Sequence, residues 1–230
     1  MIKLITFLKR KPELSVESFQ RHWRTRHAAL VARLPGLRRY VQNHALDSAY
    51  RERDPDFDGV AEAWFDDTDV MRALEPSAEY AAVRTDEAAF IEEATMKVVL
   101  TDEVAIVEGP VPSGAVKMIA CLRKRPELSP EQFRKHWREL HGPLAAAIPG
   151  NRRYVQCPAR LGIYRAGRSP AFDGVPMSWF DDENALRAAA ASPEYARTRA
   201  DEPSFLAPGR LPFAIVREIE IALPGGRPRG

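Results

Sequence analysis

Cysteine is nearly absent. The 230 residues hold two, Cys121 and Cys157, both in the second half of the chain. A disulfide framework is therefore not expected, and a reducing cytoplasm is the expected location. No apolar run approaches the length of a membrane span. Charge of one sign is also lacking: 34 Lys and Arg face 32 Asp and Glu, for a net charge of +2. Such a balance sets up no field that would recruit nucleic acid or an anionic membrane. The opening MIKLITFLKRKPE has too short an apolar stretch for a signal peptide, and charges follow it instead of a small-residue cleavage site. What is present, 45% hydrophobic and 29% charged residues, describes a globular chain long enough for two small domains.

The two halves repeat. Ser15 to Tyr40, SVESFQRHWRTRHAALVARLPGLRRY, returns as Ser129 to Tyr154, SPEQFRKHWRELHGPLAAAIPGNRRY. Lys3 aligns with Lys117, an offset of 114, and that offset holds through Gln42 and Gln156. After one added loop residue it becomes 115, matching Phe57-Asp58-Gly59-Val60 with Phe172-Asp173-Gly174-Val175, and Asp86-Glu87 with Asp201-Glu202. Solenoid units are about 20–50 residues, so a repeat this long is a duplicated domain.

Each copy reads as β-α-β-β-α-β, the split ferredoxin-like arrangement. Ile2 to Lys9 is a strand with two apolar faces. Ser15 and Ser129 are N-caps, with Pro130 and Gln132 completing a capping box in the second copy. The helix stops at Pro35-Gly36 and Pro149-Gly150. Further strands are expected at Arg38–Asn43, Val60–Phe65 and Met96–Val107, with helices at Thr68–Glu75 and from Ala78 to about Glu93. The expected domains are 1–108 and 116–222, joined by a linker at 109–115 and followed by a flexible tail at 223–230. An α+β chain of this kind leaves one face of each four-stranded sheet bare. The two units are expected to pack sheet to sheet as an intramolecular pseudo-dimer, with further homodimerisation left open. If so, copy one expressed alone should not run as a well-behaved monomer in size-exclusion chromatography.

At about 100° per residue, Phe19, Trp23, His27, Leu30 and Leu34 share an arc of about 80°. Phe133, Trp137, His141, Leu144 and Ile148 do the same. His22 and His27 stand about 140° apart on an α-helix, which argues against a metal pair, since helical ligands favour spacings of three or four. Val60, Glu62 and Trp64 share a strand face, as do Tyr40 and Gln42. Asp86-Glu87 and Asp201-Glu202 lie near a helix break, where a capping role fits.

The runs FLKRKPELSVESFQRHWRTRH…LPGLRRYVQN, FDGVAEAWFDD and DEAAF resemble the EthD family of the dimeric α/β-barrel superfamily. The resemblance covers nearly the whole chain, twice, and implies a fused dimer. It implies work beside a haem monooxygenase, or dehydratase chemistry on aromatic polyketides as in fungal relatives. Wider superfamily members are cyclases, lactone isomerases, cofactor-free monooxygenases and haem-degrading enzymes, with the pocket inside one unit between helices and sheet.

The expected function is cofactor-independent acid/base chemistry (dehydration, cyclisation or isomerisation) on an aromatic, phenolic or polyketide-like small molecule. His27 would be the acid/base, since imidazole titrates near neutral pH. Glu62 would be its carboxylate partner, and Trp23, Tyr40, Gln42 and Trp64 would bind substrate. The equivalents Trp137, His141, Tyr154 and Gln156 belong to a second copy expected to be degenerate or to bind a different ligand, because Met177 replaces Glu62, Cys157 replaces Asn43 and Pro158 replaces His44. No metal is expected. The alternatives are a non-catalytic ligand-binding accessory of an oxygenase, or a cofactor-free or haem-binding monooxygenase with His27 as axial ligand.

Overall fold

A computed structural model describes residues 1–51 and 53–224. They form two compact units, Met1–Leu100 with the segment from Glu218 onward, and Thr101–Arg217. Residues 225–230, most of the expected tail, lie outside the described residues. Leu223, its first residue, packs against the apolar core of the first unit.

In the first unit, β1 (Ile2–Leu8) leads to a helix in three parts. These are α1 (Val16–His22), a π-helical turn (Trp23–His27) and α2 (Ala28–Val31). Ser15 caps α1 by accepting from the Ser18 amide at 3.1 Å. Gly36 ends the run with φ of 74°, in the left-handed region where only glycine sits without cost. β2 (Leu37–Ala45) and β3 (Gly59–Phe65) pair antiparallel, and β3 pairs antiparallel with β1 on its other side. α3 (Thr68–Arg72) and α4 (Ala78–Phe90) follow. Asp67 caps α3 by accepting from the amides of Asp69 and Val70, and Ser77 caps α4. β4 (Lys97–Thr101) completes the order β4-β1-β3-β2, with the final residues Glu218–Ile221 beyond β2.

The second unit repeats the plan. β5 (Val104–Val107) and β6 (Val116–Ala120) precede α5 (Pro130–His136), whose Ser129–Gln132 capping box is formed. A second π-helical turn (Trp137–His141) leads into α6 (Gly142–Ala146) and β7 (Arg153–Pro158). Then come α7 (Leu161–Arg165), β8 (Gly174–Phe180), α8 (Glu183–Ala190), α9 (Pro193–Asp201) and β9 (Phe213–Ile221). The order is β9-β6-β8-β7-β5. The chain is thus α+β, with two ferredoxin-like βαββαβ units.

The expected single strand Met96–Val107 is two strands. β4 lies beside β1 in the first unit, while β5 pairs with β7 in the second, through Val104 and Gln156. The compact units therefore do not end where the sequence copies end. Cys121 and Cys157 are buried and form no disulfide. Among the described residues no helix is long and apolar enough to cross a membrane.

Alternation along the strands gives the sheet of the first unit two faces. Leu4, Thr6, Leu8, Ala61, Ala63 and Phe65 line a cavity beneath the helices. Ile5, Phe7, Val60, Glu62 and Trp64, all buried, occupy the opposite face. Asp58 is a fully buried anchor. It accepts from the Arg10 amide at 2.9 Å and the Tyr50 hydroxyl at 2.7 Å, and pairs with Lys9 and the Arg10 guanidinium. Asp173 repeats this with the Lys124 amide and Tyr164.

Gly59 is required for a different reason: a Cβ there would enter the Trp23 ring, just as one at Gly174 would enter Trp137. Gly59→Ala should therefore cost about 1–3 kcal/mol by chemical denaturation, the scale of an overpacked core. Gly162→Ala, in α7 with open space around it, should be neutral or stabilising in the same assay.

Candidate functional site

A helix that runs straight through would set His22 and His27 on different faces. The π-helical turn changes this. Its i→i+5 bond, from the Ala28 amide to the Trp23 carbonyl, brings residues five apart onto nearly one face. Both imidazoles then reach one carboxylate. His27 Nδ1 lies 3.0 Å from Asp86 Oδ2, and His22 Nε2 lies 3.1 Å from both Asp86 oxygens. Arg26 Nε completes the cluster at 2.9 Å. Phe90 lies against both rings, with centroids 4.6 Å from His22 and 5.0 Å from His27.

Asp86 was expected to cap a helix. Instead it is a buried hub, and the side-chain oxygen of Ser77 does the capping of α4. A carboxylate accepts only, so His27 must donate from Nδ1. That leaves Nε2 as the lone-pair nitrogen, and no described residue bonds it. Burial is the largest influence on His27 and holds its pKa below the ordinary value, against the upward pull of Asp86. The ring is thus a neutral base in the wall of the cavity.

That cavity has a volume of about 430 Å³, within the range of small-molecule sites. Its wall is mostly apolar, from Leu4, Leu8, Trp23, Val31, Leu34, Phe65, Leu74, Val83 and Ile91. Polar groups come from Thr6, His27, Tyr40, Arg72, Glu75, Tyr80, Arg84 and Glu87. Burial raises the Glu87 carboxyl above its usual range, opposed by the Arg84 guanidinium that bonds it. Asp86 and Glu87 were missed as site residues. The available signal was the return of the same acidic pair as Asp201-Glu202 alongside the returning histidines.

Of the expected site residues, Trp23, His27 and Tyr40 meet at the cavity. Gln42 does not line it. Its amide is used internally, donating to the Trp23 carbonyl at 2.8 Å and to the Tyr40 oxygen at 3.1 Å, and its oxygen lies 3.0 Å from His44 Nε2. Glu62 and Trp64 are corrected outright. Glu62 is paired with Lys3 and accepts from Asn43 at 2.8 Å, while Trp64 carries Lys3 and Arg39 over its ring at 4.7 and 4.6 Å. The reason is strand alternation: Ala61 and Ala63 face the cavity, so Glu62 and Trp64 between and after them cannot.

The expected divergence of copy two rested on Met177, Cys157 and Pro158, and the first two share the Glu62 face. Around the histidine the pairing of two imidazoles with one carboxylate recurs, although Leu140 stands where copy one has Arg26. His141 Nδ1 lies 3.0 Å from Asp201, and His136 Nε2 lies 2.9 Å from the same carboxylate. Trp137 and Gln156 both donate to the Tyr154 oxygen at 3.2 Å. Burial likewise lowers the pKa of His141 and raises that of Glu202. Among the described residues, no group of three His, Cys, Asp or Glu side chains is placed to hold a metal ion.

His44 has no counterpart in copy two, where Pro158 stands. It is buried 4.4 Å from the Trp23 ring, and desolvation, with a smaller push from Arg24, lowers its pKa to about 4. A histidine near 6.5 when unfolded and near 4 when folded binds more protons in the unfolded state. Its stabilising share is present above about pH 6.5 and lost as pH falls through about 4. For His44 the loss between pH 7 and pH 4 is roughly 3 kcal/mol. Denaturation at both pH values should show a smaller pH difference for His44→Phe than for the unaltered chain.

With this geometry in hand, the chain can be set beside known proteins. The EthD domain matches residues 11–94 and again 125–209. No functionally curated protein matches the chain. An anthrone oxidase-like protein of known structure is similar in fold, with a TM-score of 0.64 at 13% identity over 96% of this chain and 92% of that one. A candidate monooxygenase from Fusobacterium nucleatum subsp. nucleatum ATCC 25586 gives a TM-score of 0.61 at 9% identity, over 98% and 95% of the two chains. An ethyl tert-butyl ether d (EthD) family protein from Bacillus halodurans C-125 is 26% identical over 44% of this chain and 96% of its own, with a TM-score of 0.34.

Proposed function

The chain belongs to the EthD family, and from that premise we propose that its first unit binds an aromatic, phenolic or polyketide-like molecule and moves a proton on it. The observation that carries this reading is the buried His27–Asp86 hydrogen bond in the wall of an apolar cavity. Asp86 holds the Nδ1 proton, so Nε2 is the base. It would take a proton from a carbon beside a carbonyl, and the C–H electron pair would pass into the carbonyl oxygen to give an enolate. Return of that proton to a different carbon isomerises the substrate. Its delivery to a departing β-hydroxyl releases water and completes a dehydration. No cofactor enters either step.

The likeness in fold to an anthrone oxidase-like protein and a candidate monooxygenase favours a second reading, an accessory or ligand carrier in an oxygenase system. His27 Nε2 is also the nitrogen that would hold a haem, which would supply redox chemistry at the cavity.

The test is deuterium exchange at the α-carbons of 2-tetralone, an enolisable two-ring ketone, followed by NMR with the full chain. Exchange should be accelerated by the protein. In a His141→Gln background, which removes the second copy's imidazole, His27→Gln should reduce the acceleration by about 10²–10⁴-fold, the usual share of a general base. Asp86→Asn should reduce it and shift its pH profile. Exchange no faster than in buffer would sink the acid/base reading and leave the carrier. A Soret band in the purified protein would favour haem.

A further inference from the structure

Tyr40 is wired so that its hydroxyl can only donate. The Trp23 indole N–H is a pure donor and reaches the Tyr40 oxygen at 3.2 Å. The Gln42 amide is fixed in orientation because its nitrogen donates to the Trp23 carbonyl at 2.8 Å, and its second N–H reaches the Tyr40 oxygen at 3.1 Å. Both lone pairs of the phenol oxygen are thereby occupied. Its own proton has no acceptor among the described residues, although the side chain is buried and forms part of the cavity wall. A buried donor left unmet is costly, and such groups usually have a partner. Burial also keeps the phenol protonated, holding its pKa well above the ordinary value. The same wiring recurs independently in copy two, from Trp137 and Gln156 to Tyr154.

We propose that the Tyr40 hydroxyl is a specificity-determining donor for a carbonyl oxygen, so that the site takes apolar ketones, quinones or lactones in preference to hydrocarbons of the same shape. The inference rests on the cavity of the reading above and adds its substrate class. Among the polar groups of the wall, Tyr40 and His27 have opposite and fixed roles. Tyr40 gives a hydrogen bond, and His27 Nε2 accepts one. A ligand satisfying both carries a carbonyl oxygen and, elsewhere, a C–H or O–H proton. The donor that binds the carbonyl would also hold the enolate oxygen after proton removal. Gln42 and Trp23 act through Tyr40 as positioning residues.

The probes are 9-fluorenone and fluorene, which share a flat three-ring shape and differ in the carbonyl. Fluorenone has no α-hydrogen, so the measurement reads binding and not proton transfer. Tyr154→Phe removes the second copy's donor, and the Tyr40→Phe/Tyr154→Phe double variant removes both. In Tyr154→Phe, fluorenone should bind about tenfold more tightly than fluorene, the value of one neutral hydrogen bond. In the double variant that preference should vanish while fluorene affinity holds, which shows an intact cavity. The infrared carbonyl stretch of fluorenone bound to the unaltered chain should fall below its value in an alkane, a reading that needs no variant. Equal affinity for both probes with an unshifted stretch would overturn the donor assignment and leave the acid/base reading standing. Binding of neither probe would overturn both. Fluorenone binding with a shifted stretch, but no tetralone exchange, would support the donor and remove the base.

Discussion

A buried carboxylate must be compensated, and at Asp86 this single requirement organises the first unit. An unpaired charge taken out of water costs several kcal/mol, so the hydrogen-bond donors around it are a condition of folding. Three of them come from one short stretch, His22, Arg26 and His27. On a regular α-helix His22 and Arg26 would share a face, but His27 would stand about 140° from His22. The π-helical turn is the backbone adjustment that brings them together, and it appears in both copies at matching positions. A π turn spoils regular helix packing and is found mostly where function has a use for it. Here it presents one imidazole to the cavity with its other nitrogen already committed.

The second organising constraint is the period of two along a strand. It separates the sheet of the first unit into a face that serves the cavity and a face that carries Lys3, Glu62 and Trp64. On that second face the copies differ by Met177 and Cys157 in place of Glu62 and Asn43. On the cavity side a shared part of the polar network recurs, from Asp201 and His141 to Tyr154 and Gln156, while Leu140 replaces Arg26 and Ala120 replaces Thr6.

The cavity side is also layered. Trp23 and Gln42 do not stand at its polar groups as competitors for a ligand. They hold Tyr40 in place, and Gly59 gives the Trp23 ring the room to do so. A network of this sort is strong because each member is satisfied by another, and a low-dielectric interior strengthens each bond. Where one donor is left over, at the Tyr40 hydroxyl, the interior points to something it has not supplied itself.

The sequence by itself determined the duplication, the βαββαβ order and the sharing of one apolar helix face by Trp23 and His27. Those follow from local facts: an offset that persists over a hundred residues, caps such as Ser15 and Ser129, and a 100° periodicity that survives even a π turn for the apolar face. The tertiary structure decided the partner of the histidine. Asp86 is 59 residues from His27, and no periodicity relates side chains on different elements. Glu62 was the nearer guess because its strand was legible, but which of two alternating faces looks at the helix depends on pairing register and packing. The split of Met96–Val107 into β4 and β5 was likewise settled by partners outside the segment, since an apolar run reads the same whether it pairs with one neighbour or two. Local propensity is written in the order of residues; convergence of distant groups is fixed only when the chain has closed around them.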